Sequence, residues 1–183
     1  MTVILLEGPD GAGKTTLGLH LSQELGAPHV TTGGRKNSRE ELEREWERVE
    51  RLAWTRGLPF VVDRSPHFSQ EIYALAMGQD LFTFRGEGVE RLIELRPVQL
   101  MVIYCRPSDP QKALEQMNRG PKTHKSPEYM RKIEAHYEDI LRGYDTLMWR
   151  FSRESLLFRY DRMRDPDMKT ITSQVKWYLE CVG

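Results

Sequence analysis

The feature that most constrains this chain is an eight-residue stretch near its start, Gly8-Pro9-Asp10-Gly11-Ala12-Gly13-Lys14-Thr15. It satisfies the phosphate-loop pattern GxxxxGK[ST] at every fixed position, and it lies between an apolar run and a segment of helical character. The glycines of such a loop let backbone N–H groups point at phosphate oxygens, and the helix that follows adds the partial positive charge of its N-terminus. The stretch therefore predicts a binding site for a nucleoside triphosphate.

The side chains of this phosphate loop have separate expected roles. Lys14 is placed to reach the β- and γ-phosphates, and the hydroxyl of Thr15 is placed to ligate Mg²⁺. A glycine-rich turn that only joins a strand to a helix would not require this Lys-Thr pair. We therefore expect ATP as donor and Mg²⁺ as metal ion. The residues expected to bind the nucleotide are Gly8, Asp10, Gly11, Ala12, Gly13, Lys14, Thr15 and Thr16.

Apolar runs of strand length alternate with helical patterns along the chain, which predicts an α/β fold with a parallel sheet flanked by helices. The chain shows no repeat and no linker, so we expect one domain over residues 1–183. The expected strands are Thr2–Glu7, Pro28–Thr32, Leu58–Asp63, Gln99–Cys105 and Leu156–Tyr160. The expected helices are Gly13–Glu24, a helix opened by the capping box of Ser38 and Glu41, Ser65–Met77, Gly88–Leu95, a helix from Asp109-Pro110, Ser126–Arg150 and Asp167–Cys181.

Composition and charge limit the class of protein. Lys+Arg and Asp+Glu both number 27, and the resulting net charge of zero argues against a protein whose whole surface grips nucleic acid. No stretch approaches the roughly 18 apolar residues of a membrane span, and no basic segment typical of a secretory signal opens the chain. Cys105 and Cys181 lack metal-type spacing and are interpreted as reduced thiols. We therefore expect a cytoplasmic protein without membrane association.

An enzyme that transfers phosphate from such a loop also needs an acidic group, and ligands of open parallel sheets gather at the carboxyl ends of the strands. Three strand ends compete: one apolar run ends in Cys105-Arg106 without an acid, Asp63 follows the second, and Asp161 follows the third. We prefer Asp63 for the metal ion and the acceptor, since Arg159 interrupts the rival run. Arg64 then offers a planar fork to a phosphoryl group. The structural alternative is that Asp63 caps the next helix and Arg64 pairs with it.

The segment Ser65–Tyr73 is expected to wall the acceptor site. Phe68 is a candidate to stack on a ring, and Ser69 and Tyr73 are candidates to donate hydrogen bonds to it. His67 is interpreted as an ordinary polar surface group and not as a catalytic residue.

A basic stretch between two helices, residues 118–125, carries three fixed positive charges and no negative one. Phosphoryl transfer needs charge stabilisation and exclusion of water, and mobile basic loops supply both. We therefore predict a lid at about residues 118–126. Arg119 is the first candidate to reach the γ-phosphate as a catalytic group, with Lys122 or Lys125 second. The alternative is a solvated connector without a role.

With these parts assembled, the chain resembles the thymidylate kinase branch of the nucleoside monophosphate kinase family. The run Glu7–Thr16 is similar to that branch's EGxDGxGKTT start, and Asp63-Arg64 with Ser69 and Tyr73 is similar to its DR…S…Y segment. The resemblance is close to full length. It implies a three-layer P-loop kinase fold with a five-stranded parallel sheet in the order 2-3-1-4-5, ATP-dependent transfer to a pyrimidine deoxynucleotide, and a homodimer. It also implies that Arg64 binds the acceptor phosphate and that residues 161–167 lie near the adenine.

The sequence departs from that branch at three places. The helix after Asp63 has no arginine near Gly78-Gln79, the strand ending at Cys105-Arg106 has no terminal acid, and the lid is short with one arginine. Phage variants of this fold that phosphorylate the hydroxymethyl group of 5-hydroxymethyluridine in DNA are therefore an alternative, although they need a basic open groove and a flipped base. A non-catalytic nucleotide-binding protein is a third interpretation, for which the sequence offers no partner motif.

Overall fold

The computed structural model describes residues 2–32, 36–55, 59–83, 85–94, 100–119, 126–153 and 156–182. Its five strands form one parallel sheet in the order β2-β3-β1-β4-β5, which confirms the predicted order. The strands are β1 Val3–Glu7, β2 His29–Thr31, β3 Phe60–Asp63, β4 Leu100–Cys105 and β5 Leu157–Tyr160. Each lies within a predicted strand, although the predicted starts Leu58 and Gln99 fall outside the described residues.

Eight helices of the described residues connect and cover these strands. They are α1 Lys14–Leu25, α2 Arg39–Thr55, α3 Pro66–Met77, α4 Glu87–Glu94, α5 Pro110–Arg119, α6 Pro127–Ala135, α7 Tyr137–Ser152 and α8 Lys169–Val182. None of them, over the part of the chain that is described, is long and apolar enough to cross a membrane.

Serine side chains cap three helices, each of which begins next to its predicted start. The hydroxyls of Ser38, Ser65 and Ser126 accept hydrogen bonds from the backbone N–H three residues later, at 3.3, 3.5 and 3.2 Å. Each bond satisfies one of the N–H groups that a helix start leaves without an intrahelical partner. Proline follows Ser65 and Ser126 at the first helical position, where its missing N–H costs nothing.

The predicted single helix Ser126–Arg150 is wrong, because two helices meet at His136. The backbone of His136 leaves the helical region, with φ −115° and ψ 16°, and its N–H reaches the carbonyls of both Lys132 and Ile133 at 3.2 Å. The apolar positions Ile133, Tyr137 and Ile140 continue at helical spacing through this break. Periodicity therefore carries no sign of the break.

The sheet divides the core into two layers. Val3 and Leu5 of β1 point into one cluster with Trp46 of α2 and Tyr144 of α7. Ile4 and Leu6 point the other way, into a cluster that contains Leu17 of α1 and Val175 of α8. Every residue of β1 and β4 is buried, as expected of central strands covered on both faces. This three-layer arrangement leaves the carboxyl ends of the strands as the place where polar groups gather.

The contact between α3 and α4 generates a stability prediction. A Cβ added at Gly88 would lie 2.7 Å from the Cα of Phe68, which is backbone and has no room to move. A Cβ at Gly143 would lie 3.1 Å from a methyl group of Ile72, which needs to shift by only a few tenths of an ångström. We expect Gly88→Ala to lower the free energy of unfolding by about 1–3 kcal/mol. Gly143→Ala is the control, with a change below about 1 kcal/mol because better helix propensity offsets the tighter contact. Equal effects in urea unfolding would contradict the role of the close backbone approach.

Candidate active site

The phosphate loop has a backbone that favours glycine at three positions, of which Gly8 and Gly13 are fixed in the pattern and Gly11 is not. Gly8, Gly11 and Gly13 have φ values of 143°, 77° and 84°, which side chains of L residues disfavour. At Gly8 an added Cβ would also lie 2.2 Å from the carbonyl oxygen of Cys105 at the end of β4. The loop is thus pressed against the central strand, and α1 begins directly after it at Lys14. This arrangement directs the helix N-terminus into the loop.

Lys14 is enclosed by its own loop. Its side chain is buried, and its Nζ donates a hydrogen bond of 2.6 Å to the carbonyl oxygen of Pro9. Burial, with the nearby positive charge of Arg64 second, lowers the pKa of Lys14 to about 8. The negative charges of Asp10 and Asp63 act in the opposite direction.

Asp63 lies beside the phosphate loop because β1 and β3 pair in register, with Leu6 opposite Asp63. The Thr15 hydroxyl donates a hydrogen bond of 2.7 Å to Oδ2 of Asp63. The other carboxylate oxygen, Oδ1, is buried and has no hydrogen-bond partner among the described residues. Hydroxyl and carboxylate oxygens are the ligands that Mg²⁺ prefers, and an orphaned buried oxygen fits a cation. The two residues predicted to bind the metal ion are thus brought together. Thr16, the further phosphate candidate, is exposed in the first turn of α1.

The rival carboxylate, Asp161, is hydrogen-bonded within its own loop. Its Oδ1 accepts from the N–H of Met163 at 3.0 Å, and its Oδ2 lies 3.6 Å from Nε of Arg164. Asp63, and not Asp161, is therefore the candidate that is hydrogen-bonded to Thr15.

Arg162 is a candidate that the sequence reasoning missed. Its Cδ would lie 3.1 Å from a Cβ built on Gly13, so its side chain passes directly over the phosphate loop. Its Nη1 donates a 3.3 Å hydrogen bond to Oε1 of Gln116 in α5. The sequence signal that could have identified Arg162 is its position directly after Asp161, in the loop 161–167 that the resemblance places near the adenine.

Arg64 is held by the phosphate loop. Its Nη2 lies 2.6 Å from Oδ1 of Asp10, and the Tyr73 hydroxyl donates to the other oxygen of Asp10 at 2.8 Å. The Tyr137 hydroxyl in turn donates to the carbonyl oxygen of Asp10 at 2.7 Å. The structural alternative in which Asp63 caps α3 and Arg64 pairs with it is contradicted, because Ser65 is the cap and Asp10 is the partner.

The backbone at Arg64 is strained. Its φ of 79° lies in the left-handed region, which costs a non-glycine residue on the order of 1–3 kcal/mol. Hydrogen bonds on both sides hold it, because its N–H donates to the carbonyl of Leu6 at 3.0 Å and its carbonyl accepts from the hydroxyl of Thr32. The side chain is thereby turned towards Asp10 instead of continuing along β3.

Glu7 supports the same turn from the end of β1. Its Oε1 accepts a hydrogen bond from the N–H of Ser65, and its Oε2 is buried with no hydrogen-bond partner in the described part of the chain. Burial raises the pKa of Glu7 to about 8, although the Ser65 N–H and the positive charges of Arg64 and Lys14 act in the opposite direction. Its role was invisible in the sequence beyond its place in the EGxDGxGKTT run.

The predicted acceptor wall is packed tightly. Phe68 is fully buried, Tyr73 is 6% exposed, and the Ser69 hydroxyl lies 3.1 Å from that of Tyr144. Their roles in binding an acceptor stay predictions. The interpretation of His67 as a surface group is wrong, since its side chain is completely buried under α2 and α4.

An ion pair occupies the end of β4, where the resembling family has an acid. Arg106 donates from Nε and Nη2 to the two carboxylate oxygens of Asp145 in α7, at 2.8 and 3.0 Å. The Tyr104 hydroxyl also donates to Asp145, at 2.9 Å. The charge of Arg106 is therefore balanced by α7.

The predicted lid is described only at its edges. Lys122 and Lys125 lie in the segment 120–125, outside the described residues. Arg119 ends α5, where its side chain is 81% exposed and Nη2 lies 3.7 Å from Glu115. Its contact with a γ-phosphate stays a prediction.

Comparison with known proteins places this site in a recognised fold. The structure is similar to that of the YorR protein from Bacillus subtilis, solved in complex with phosphorylated GDP, with a TM-score of 0.69 and 22% identity over 97% of this chain and 95% of that chain. It is also similar to deoxyadenosine kinase from M. mycoides, solved with dCMP and dCDP, with a TM-score of 0.62 and 17% identity over 99% and 100%. Shikimate kinase from Acinetobacter baumannii follows with a TM-score of 0.50 and 17% identity over 96% and 93%. At these identities the likeness establishes the fold, and the predicted P-loop kinase fold is confirmed. The sequence matches no protein-family model and no curated protein.

The buried carboxyl of Glu7 predicts an unusual pH dependence of stability. Its pKa is about 8 in the folded protein against an ordinary 4.5, so the unfolded chain releases this proton at lower pH than the folded protein does. The contribution of Glu7 is therefore fully present below pH 4.5 and is lost as the pH rises to about 8. Glu7→Gln keeps the acceptor for Ser65 and should gain stability relative to wild type between pH 5 and 8, by at most about 1.4 kcal/mol per pH unit.

Urea unfolding of both proteins at several pH values measures this difference. Glu180→Gln removes an exposed carboxylate and controls for the change in net charge. A difference between Glu7→Gln and wild type that did not vary with pH would mean that Glu7 is already ionised in the folded protein at pH 5.

Proposed function

We propose that this chain is a kinase that transfers the γ-phosphate of ATP to a free pyrimidine deoxynucleotide. The observation that carries the proposal is the hydrogen bond from Thr15 of the phosphate loop to Asp63 at the end of β3. It joins the loop expected to hold the donor to a carboxylate whose second oxygen has no hydrogen-bond partner among the residues that the structure describes. A loop that served only as a turn would have no use for that buried charge.

Binding and activation of the donor depend on positively charged and N–H groups that are in position before the nucleotide binds. Lys14 and the N–H groups of the phosphate loop neutralise the β- and γ-phosphates, and Arg119 approaches the transferring group from the lid. Thr15 and Asp63 would hold Mg²⁺, which supplies further charge neutralisation when bound. Lys14 and Asp63 are already buried, so little reorganisation of these two groups accompanies the reaction.

The acceptor side depends on the Asp63-Arg64 turn. Arg64 binds the acceptor's phosphate and orients it for in-line attack. The acceptor oxygen forms a bond to the γ-phosphorus, the bond from that phosphorus to the β-phosphate oxygen breaks, and ADP leaves. The acceptor's proton passes to the carboxylate of Asp63 or to solvent. Tyr73 and Ser69 then serve as polar wall groups, and Phe68 supports them from the core.

A free acceptor is favoured over DNA by two observations. The net charge of the chain is zero, whereas DNA-binding proteins are usually basic. The similar YorR and deoxyadenosine kinase structures were solved with free nucleotides. The choice of a pyrimidine base and of a homodimer rests on the resemblance of the Glu7–Thr16 and Asp63–Tyr73 segments.

Three substitutions test the assigned residues. Lys14→Ala should abolish transfer, because the charge that neutralises the β- and γ-phosphates is lost. Asp63→Asn should lower kcat by two or more orders of magnitude, roughly the cost of removing one charge-stabilising or proton-accepting group, while ATP binding is kept. Asp161→Asn is the matched control and should leave kcat within about threefold. Loss of kcat in Asp161→Asn alone would move the carboxylate to the end of β5.

The substrate class is tested by following labelled γ-phosphate into a panel of acceptors. The panel contains the free deoxynucleosides, their monophosphates, and duplex DNA with and without 5-hydroxymethyluridine. Label in a pyrimidine monophosphate supports the proposal. Label confined to modified DNA would replace it with a DNA-modifying kinase. Bound ATP without transfer to any acceptor would favour a non-catalytic nucleotide-binding protein.

A further inference from the structure

Three helices bring ionisable side chains together on the face of the sheet that α1 does not cover. Glu43 comes from α2, His67 from the first turn of α3, and Glu87 from the start of α4. One ligand atom from each lies within 4.8 Å of the others. His67 and Glu87 are buried, with side chains 0% and 1% exposed, and Glu43 is half-buried. This cluster lies apart from the phosphate loop and has no part in the proposed transfer.

The imidazole of His67 lacks the partners that a buried histidine needs. Neither Nδ1 nor Nε2 has a hydrogen-bond partner among the described residues, although an orphaned buried polar group costs about 1–3 kcal/mol. Nε2 points between the two carboxylates, 3.6 Å from Oε1 of Glu43 and 3.7 Å from Oε1 of Glu87. These distances are too long for hydrogen bonds. They are close to the roughly 3.4 Å that separates two ligands of a tetrahedral ion with bonds of about 2.1 Å.

A cation already lies between the carboxylates in the form of a guanidinium group. Nη2 of Arg39 lies 2.6 Å from Oε1 of Glu43 and 2.5 Å from Oε1 of Glu87. The two carboxylates therefore favour a positive charge between them. Because Arg39 lies at the exposed start of α2, a metal ion can take the place of its guanidinium. The side chain of Arg39 is 39% exposed and can swing towards solvent.

The carboxylates would keep an arginine partner, Arg91, if the side chain of Arg39 moved away. Nη1 and Nη2 of Arg39 belong to one planar guanidinium and would leave together. Nη1 of Arg39 is bonded to the outer oxygen of Glu87 at 2.5 Å and to the carbonyl of Phe82 at 3.1 Å. Nη2 of Arg91 bonds both carboxylate oxygens of Glu43 at 3.0 Å, and its Nε lies 3.5 Å from Oε1 of Glu87. Arg91 would thus keep both carboxylates oriented while an ion took the place of the Arg39 guanidinium, as groups behind metal ligands usually do.

We propose that Glu43, His67 and Glu87 form a site for a divalent transition-metal ion of the zinc class. Nε2 of His67 and the inner Oε1 atoms of the two glutamates supply three ligands, and water takes the fourth position. A mixed imidazole and carboxylate set suits zinc and cobalt better than magnesium. The ion would link α2, α3 and α4, and its ligand His67 lies three residues after the strained residue Arg64.

Metal-free protein, prepared with EDTA and kept without nucleotide, is titrated with Zn²⁺ by calorimetry and with Co²⁺ by absorption. We expect one ion per chain at this site, with a Kd in the micromolar range and a rise in Tm that follows the ion concentration. His67→Gln should lose this ion. His136→Gln is the matched control, since His136 is half-buried and lies 3.9 Å from Asp139, with no second carboxylate paired to it within the described part of the chain. Failure of wild type to bind, or binding unchanged in His67→Gln, overturns the proposal.

Arg39→Met separates a metal site from a network of ion pairs alone. Removing the resident cation should strengthen Zn²⁺ binding at least several-fold, and the Tm rise on adding Zn²⁺ should exceed that of wild type. An ion-pair network without metal function predicts lower stability in Arg39→Met and no gain in affinity. That result would also overturn the proposal, and it does not depend on how well His67→Gln folds.

Discussion

The parallel pairing of β1 with β3 is the constraint on which the site depends. Because Leu6 lies opposite Asp63, both strands end at the same level, and the chain segments that leave them are forced side by side. One segment becomes the phosphate loop and the other becomes the Asp63-Arg64 turn. The hydrogen bond of Thr15 to Asp63 and that of Ser65 to Glu7 then bridge the two segments. A shift of one residue in this register would move Asp63 to the other face of the sheet.

The site is a closed group of charges removed from water. Glu7 and Lys14 are both almost completely buried, and burial drives the pKa of each towards 8, where each is closer to its neutral form. Against the effect of burial, the pairing of Arg64 with Asp10 at 2.6 Å raises the pKa of Arg64 and so favours its charged form. Under the proposed function, a triphosphate would bring negative charge to the buried lysine and to the helix N-terminus without a change of fold, as in other preorganised phosphate sites.

The sequence predicted those features of the structure that depend on local sequence patterns. The loop Gly8–Thr15 fixed the place of β1 and α1, and the apolar run before Asp63 located the carboxylate beside it. Serine caps located helix starts because the cap bond is made within three residues. The features it could not predict depend on distant packing. His67 follows a strand end and looks exposed, but α2 and α4 close over it.

Two other misses have the same physical origin. The break at His136 falls inside an uninterrupted apolar period, and only the packing of α6 and α7 reveals it. Arg162 over Gly13 depends on where the β5 loop lands. Neither position carries a glycine, a proline or a cap signal that local reasoning can use.

The strained turn at Arg64 connects the proposed donor site to the proposed acceptor site. An arginine with φ of 79° keeps that conformation only while Glu7, Leu6 and Thr32 hold the backbone around it. Its guanidinium forms an ion pair with Asp10, which belongs to the phosphate loop. Under the proposed function, an acceptor phosphate would compete with Asp10 for Arg64, and any bond it formed with Arg64 would change the charge balance inside the phosphate loop. Because Asp10 and the acceptor phosphate would share the guanidinium of Arg64, binding of the donor and binding of the acceptor should not be independent.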